Sequence, residues 1–263
     1  MAEHLFAQVL DRMDGTLLRL ASAVSQPKRV AFLDSFVYRY SEKNIHQAIV
    51  QKLACCISSL RAALLLMEHG YVREQAVLQR VLDELEEDIT FLAFGVINND
   101  ITDLHRKYLD AFYEEEFDPA TGKHLATGRR GNPRRKEVQA YLAKTHGDDP
   151  YGGSQVMRTI SKVYSGFVHA ASPQTMGMYI GDPPRFHTCG VAGTYLHDEH
   201  REDLWNTFYR GILAFACAAK AFGDDALSAD IRKFSVQFAD ENGHDYRPKE
   251  SNERIKYLPP AHP

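Results

Sequence analysis

Glycine and proline are scarce in this chain of 263 residues, at 17 and 11, below their average share. That argues against a sandwich of many short strands joined by tight turns, and against a low-complexity linker protein. Cysteine is scarce too: four residues are too few for a disulfide scaffold. Cys55 and Cys56 are neighbours on an expected helix and badly placed to pair, Cys217 lies in an apolar run and Cys189 stands alone. Buried, reduced thiols are expected. No sign of charge dominates, with Lys and Arg at 31 against Asp and Glu at 35 for a net −4, so the chain is not a globally basic nucleic-acid binder. The longest apolar run, Gly211 to Ala219, is far shorter than the ~20 residues of a membrane span. The start carries Glu3, Asp11 and Asp14 and lacks the regions of a signal peptide. These absences point to a cytoplasmic protein with no membrane contact. Phosphate-binding loops, dinucleotide fingerprints and the nucleophile elbow are missing as well.

What the sequence does have is helical periodicity. Leu5, Phe6, Val9, Leu10, Met13, Leu17, Leu18 and Leu20 recur at spacings of three and four within 2–24. Ser41 is placed to cap a long helix to His69, which Gly70 ends. Leu78, Val81, Leu82, Leu85, Ile89, Leu92 and Val96 form the strongest apolar stripe, and Asp100 is placed to cap the helix after it. Further helices are expected over 134–145, 154–170, 195–222 and 225–240. Another apolar cluster lies at 29–40. The expected fold is all-α: a single-domain bundle of about eight helices over 1–241, followed by a polar tail over 242–263. Irregular segments at 118–133 and 171–193 leave room for one brief hairpin near 178–180 and 186–188. They are the places where a loop-borne function would sit.

Four constellations bear chemistry. Arg158, Lys162, Ser165 and His169 recur at i, i+4, i+7 and i+11, so one helix face carries two cations, a hydroxyl and a proton carrier. Those types suit a phosphate, and they equally suit a solvated face. Arg80 and Glu84 are four apart opposite the aliphatic stripe, as a surface ion pair or as a seam buried between helices. Lys123, Arg129, Arg130, Arg134, Arg135 and Lys136 occur with no acid among them, as a basic loop that follows a phosphate backbone or merely solvates. His187, His197 and His200 cluster near the start of the 195–222 helix. Zinc needs three or four ligands in closed geometry, no zinc motif accompanies these histidines, and no metal or other cofactor is expected.

Arg80-Val-Leu-Asp-Glu84 in a long apolar helix, followed by Tyr164-Ser165-Gly-Phe-Val-His169, resembles an uncharacterised family of bacterial helical bundles similar to HEPN domains. The resemblance implies a homodimer, a possible RNA partner, and a polar pocket in which Arg80, Glu84, Ser165 and His169 converge. In that pocket His169 would act as acid or base and Ser165 would position a phosphate. Active HEPN ribonucleases carry Arg where this chain has Tyr164, so weak or absent cleavage is expected. Two other readings come from the residues themselves: a dimeric interaction module whose polar pocket is structural, and a small-molecule or metal enzyme built on His187, His197 and His200.

Overall fold

The computed structural model describes residues 2–125, 131, 133–145 and 162–242. The first helix, α1, spans Ala2–Ser22 and buries Leu5, Phe6, Val9, Leu10, Met13 and Leu20 on one side. An antiparallel hairpin follows, β1 (Lys28–Phe32) and β2 (Ser35–Arg39), in register from Lys28 opposite Arg39 to Phe32 opposite Ser35. The apolar cluster at 29–40 is therefore this hairpin, and its Val30, Phe36 and Tyr38 are exposed.

Two long helices form the centre, α2 (Ile45–Glu68) and α3 (Val72–Ile97). The cap of α2 is Asn44, not Ser41. Asn44 Oδ1 accepts from the Gln47 amide at 3.0 Å and Gln47 Oε1 accepts from the Asn44 amide at 3.3 Å. This reciprocal box satisfies two donors that Ser41, three residues earlier, cannot reach. Helix α4 (Asp103–Phe112) is likewise capped by Thr102 instead of Asp100, with His105 Nδ1 accepting from the Thr102 amide at 3.2 Å. Helix α5 (Arg135–Thr145) lies against α3. Next come α6, described over 162–168, and the short α7 (Ser172–Met176). The expected brief hairpin is β3 (Tyr179–Ile180) with β4 (Arg185–Phe186). Helices α8 (Tyr195–Ala221) and α9 (Asp225–Asn242) complete the bundle.

The architecture is all-α. Helix α2 packs along α3, α3 along α8, and α8 along α9, with α1 closing one side. Phe91, Phe208, Phe215 and Phe238 are enclosed at the centre with Leu53, Leu60, Leu82 and Leu92. By length and composition α2 is apolar enough to cross a membrane. Here it serves as a core helix, with Lys52 paired to Asp88 of α3 and Arg61 to Asp14 of α1. All four cysteines are free: Cys56 and Cys217 are buried, whereas Cys55 and Cys189 are exposed.

Helix α3 departs from a simple amphipathic helix. Its stripe of Leu82, Leu85, Ile89 and Leu92 is buried, but so are Gln75, Gln79, Asp83, Glu86 and Asp88, while Val81 is exposed. Neighbours on several sides cover it, so burial is not confined to the apolar face.

Candidate functional site: a cavity at the elbow between α2 and α3

The elbow is built by close backbone approach. Gly70 has φ +73°, and a Cβ there would lie 2.3 Å from the Ala192 nitrogen. Gly190, at φ +91°, would place a Cβ 2.5 Å from the His69 carbonyl oxygen. Only glycine meets both demands of conformation and space. The contact is locked by the Val191 amide, which donates to the Gly70 carbonyl at 2.8 Å. His197 adds a second lock: its Nε2 donates to the Met67 carbonyl at 2.7 Å and its Nδ1 accepts from the Gly193 amide at 3.4 Å. The start of α8 is thereby pinned to the end of α2.

Between this elbow, α6, the 173–191 segment and the first turns of α8 lies a cavity of about 450 Å³. Val72, Val163, Phe167, Met178, Val191 and Leu196 supply apolar walls, and Arg73, Glu74, His187 and His200 supply the titratable groups. The Arg73 guanidinium contacts Glu74 at 3.1 Å and donates to the Phe167 carbonyl at 3.3 Å. A cation is thus placed at the C-terminal end of α6, where the helix dipole favours it. His187 Nε2 donates to the Ile180 carbonyl at 3.1 Å. His200 is nearly enclosed, with 12% of its side chain exposed, and its Nδ1 lies 4.0 Å from Asp203 Oδ2. That nitrogen has no hydrogen-bond partner. Burial lowers the proton affinity of His200 below the ordinary histidine value, against the pull of Asp203 and Glu199, so the ring is neutral at pH 7. The Phe167 and His200 rings meet edge to face at 5.6 Å and 84°.

The residues singled out by spacing are distributed differently. Arg80 forms an ion pair with Glu84 at 2.5 Å, and Glu84 lies 3.9 Å from Arg135. Ser165 is half-buried and His169 exposed on α6. Among the described residues, no hydrogen bond or ion pair joins Arg80 or Glu84 to Ser165 or His169. Among the described residues, the α3 cation that reaches α6 is Arg73, seven residues before Arg80. Tyr164, at the position where the ribonuclease pattern has Arg, has its phenol pushed up by burial and by Asp203 and Asp83. Of the three clustered histidines, His187 and His200 line the cavity, and His197 serves the helix junction.

In the basic segment, Arg135 is drawn into the bundle. Its guanidinium contacts Asp88 at 2.7 Å and Glu87 at 3.3 Å. Asp88 also accepts from Lys52 at 2.9 Å and Tyr108 at 2.6 Å. Burial alone would raise the Asp88 carboxyl, but Arg135 and Lys52 outweigh it and hold it below its usual range. Lys123, Arg134, Lys136 and Lys162 are exposed. Arg129, Arg130 and Arg158 lie outside the described residues.

Among the described residues, no group of three His, Cys, Asp or Glu side chains is arranged to hold a metal. Compared with family models, curated proteins and solved structures, the chain gives no match. The cavity was legible only in part. The 171–193 break marks one wall, but Tyr71, Arg73, Phe167 and Leu196 carried no signal, because each sits in an ordinary helical pattern.

Proposed function

We propose that the protein is a helical-bundle binding protein that takes a small, mainly apolar molecule into the elbow cavity. The observation that carries this reading is the cavity itself: about 450 Å³, apolar on most sides, with a few polar groups fixed by their own hydrogen bonds. Small-molecule sites have this make-up and occupy roughly 300–1,000 Å³. Titration with N-phenyl-1-naphthylamine, a neutral dye that brightens in apolar surroundings, tests it. One saturable site per chain is expected in the wild type. Val163 lines the cavity yet is 51% exposed, so Val163→Trp should fill the cavity, abolish dye binding and leave the melting temperature nearly unchanged. Absence of saturable binding in the wild type, or undiminished binding in the variant, would overturn the reading.

A second reading keeps the HEPN-like resemblance, with a homodimer that binds RNA weakly. It is supported by Lys123, Arg134, Lys136 and Lys162, which make no ion pair with any described residue and are exposed. Arg135, held by Glu87 and Asp88, contributes nothing to it. Binding of single-stranded RNA at 50 and 200 mM salt tests this reading. Four phosphate contacts would weaken affinity by roughly 50-fold over that range, and no binding at the lower salt would dismiss it.

A further inference from the structure

The two imidazoles in the cavity share an arrangement that selects the chemistry of the occupant. A neutral imidazole has one nitrogen that donates and one that accepts. His187 Nε2 lies 3.1 Å from the Ile180 carbonyl oxygen, and a carbonyl only accepts. Nε2 therefore carries a proton and donates it to that carbonyl. In His200 the enclosed nitrogen is Nδ1, 4.0 Å from the Asp203 carboxylate. The carboxylate favours the proton on that side, leaving Nε2 as the acceptor. Among the described residues Nε2 has no partner, and it is not one of the enclosed polar atoms. The ring, with 12% of its side chain exposed, forms part of the cavity wall.

Charge and shape narrow the choice further. Arg73 and Glu74 neutralise one another at 3.1 Å, and Arg73 also holds the Phe167 carbonyl. An anion would have to compete with both. The Phe167 and His200 rings, at 84° to one another, form a corner that receives a third ring stacked on one and edge-on to the other.

From this geometry we infer that the cavity selects a neutral aromatic molecule bearing a hydroxyl or ring N–H group, which donates a hydrogen bond to His200 Nε2. The inference rests on the cavity being a binding site, and it adds which molecules enter. His200 is the specificity-determining group.

Three matched probes separate the two claims: naphthalene, 2-methoxynaphthalene and 2-naphthol, titrated calorimetrically into the full chain at pH 7.5. All three should bind. 2-Naphthol should bind about tenfold more tightly than 2-methoxynaphthalene, the worth of one buried hydrogen bond. In His200→Leu the naphthalene affinity should persist while the tenfold preference disappears. Equal affinity of wild type for the hydroxyl and methoxy probes overturns the hydrogen-bond inference and leaves the cavity reading standing. A preference that survives in His200→Leu overturns the assignment to His200. Failure of all three probes to bind wild type sinks the cavity reading and the inference together. The wild-type comparison decides the hydrogen-bond claim without any variant.

Discussion

The middle of α3 and its first turn carry similar side chains under opposite conditions. Between Asp83 and Asp88 the carboxylates are met by groups from three other helices and from α3 itself. Arg210 of α8 contacts Asp83 at 2.5 Å, Arg135 of α5 contacts Asp88 at 2.7 Å, Lys52 of α2 reaches Asp88 at 2.9 Å, and Arg80 holds Glu84. At the first turn, Arg73 and Glu74 face a cavity whose two imidazoles both keep nitrogen atoms without a partner among the described residues. The first arrangement is held by charges from neighbouring helices, which close on Glu84 and Asp88 but leave Asp83 Oδ2 and both Glu86 oxygens without a hydrogen-bond partner among the described residues. In the second, the fold leaves hydrogen-bonding capacity directed at empty space. Polar residues on a helix are thus structural where neighbouring helices deliver their partners, and candidates for binding where they do not.

The closed region should break hardest. Arg135→Ala leaves Glu87 and Asp88 partly unpaired in a buried setting, and urea unfolding should show a loss of about 3 kcal/mol. Lys136→Ala, one residue away on the exposed side, should stay within about 0.5 kcal/mol. An equal loss from both would mean that Arg135 is not held inside the bundle.

Glu86 offers the next largest effect. It is buried 3.5 Å from Arg210 Nε, but Arg210 makes its close contact with Asp83. One guanidinium does not fully support two buried carboxylates, and burial pushes Glu86 up to about 8. Its folded value lies above its unfolded one, so between roughly pH 4.5 and 8 the folded state binds the extra proton. Stability should therefore fall as pH rises through that window. Glu86→Gln, neutral at every pH, should remove part of the fall and gain on the order of 2 kcal/mol at pH 8, with little change at pH 5. Urea midpoints at the two pH values check this, and a parallel pH profile in wild type and variant would refute it.

A smaller effect tests packing between α3 and α4. A Cβ at Gly95 would lie 2.6 Å from His105 Nε2, which donates to the Phe91 carbonyl at 3.1 Å while its ring stacks on Phe91 at 4.0 Å. Gly95→Ala should displace the ring and cost about 1–2 kcal/mol by thermal or urea unfolding. The open region should yield least. His200→Leu removes an enclosed nitrogen that already lacks a partner, so stability should change by no more than about 0.5 kcal/mol or rise slightly. A large loss there would show that the imidazole belongs to the closed class.

Much of this contrast was invisible in the sequence. Spacing placed Arg80 and Glu84 opposite the aliphatic stripe and paired them, and the pair is present. The periodic stripe gave no hint that Gln75, Gln79, Asp83 and Glu86 are buried as well, because an apolar stripe reports one packed face and α3 has several. The partners of its carboxylates lie far along the chain: Arg135 is 47 residues from Asp88, and Arg210 is 127 from Asp83. Arg135 looked like one of six similar cations, and nothing local distinguishes it from Lys136. The β1–β2 hairpin was missed for a different reason: two five-residue strands are too short for alternation to stand out.

The sequence by itself determined the all-α class, the position of most helices, and the irregular segment over 171–193 that walls the cavity. These follow from local chemistry, namely the 3.6-residue recurrence of apolar side chains and the few glycines and prolines that interrupt it. Only the tertiary structure decided which polar groups are closed and which are open. A side chain's hydrogen-bonding capacity is set by its type, but whether that capacity is met depends on what distant segments bring within about 3 Å. His197 and His200 are three residues apart on one helix and differ in this respect. His197 Nε2 found the carbonyl of Met67, and the enclosed nitrogen of His200 found no partner among the described residues.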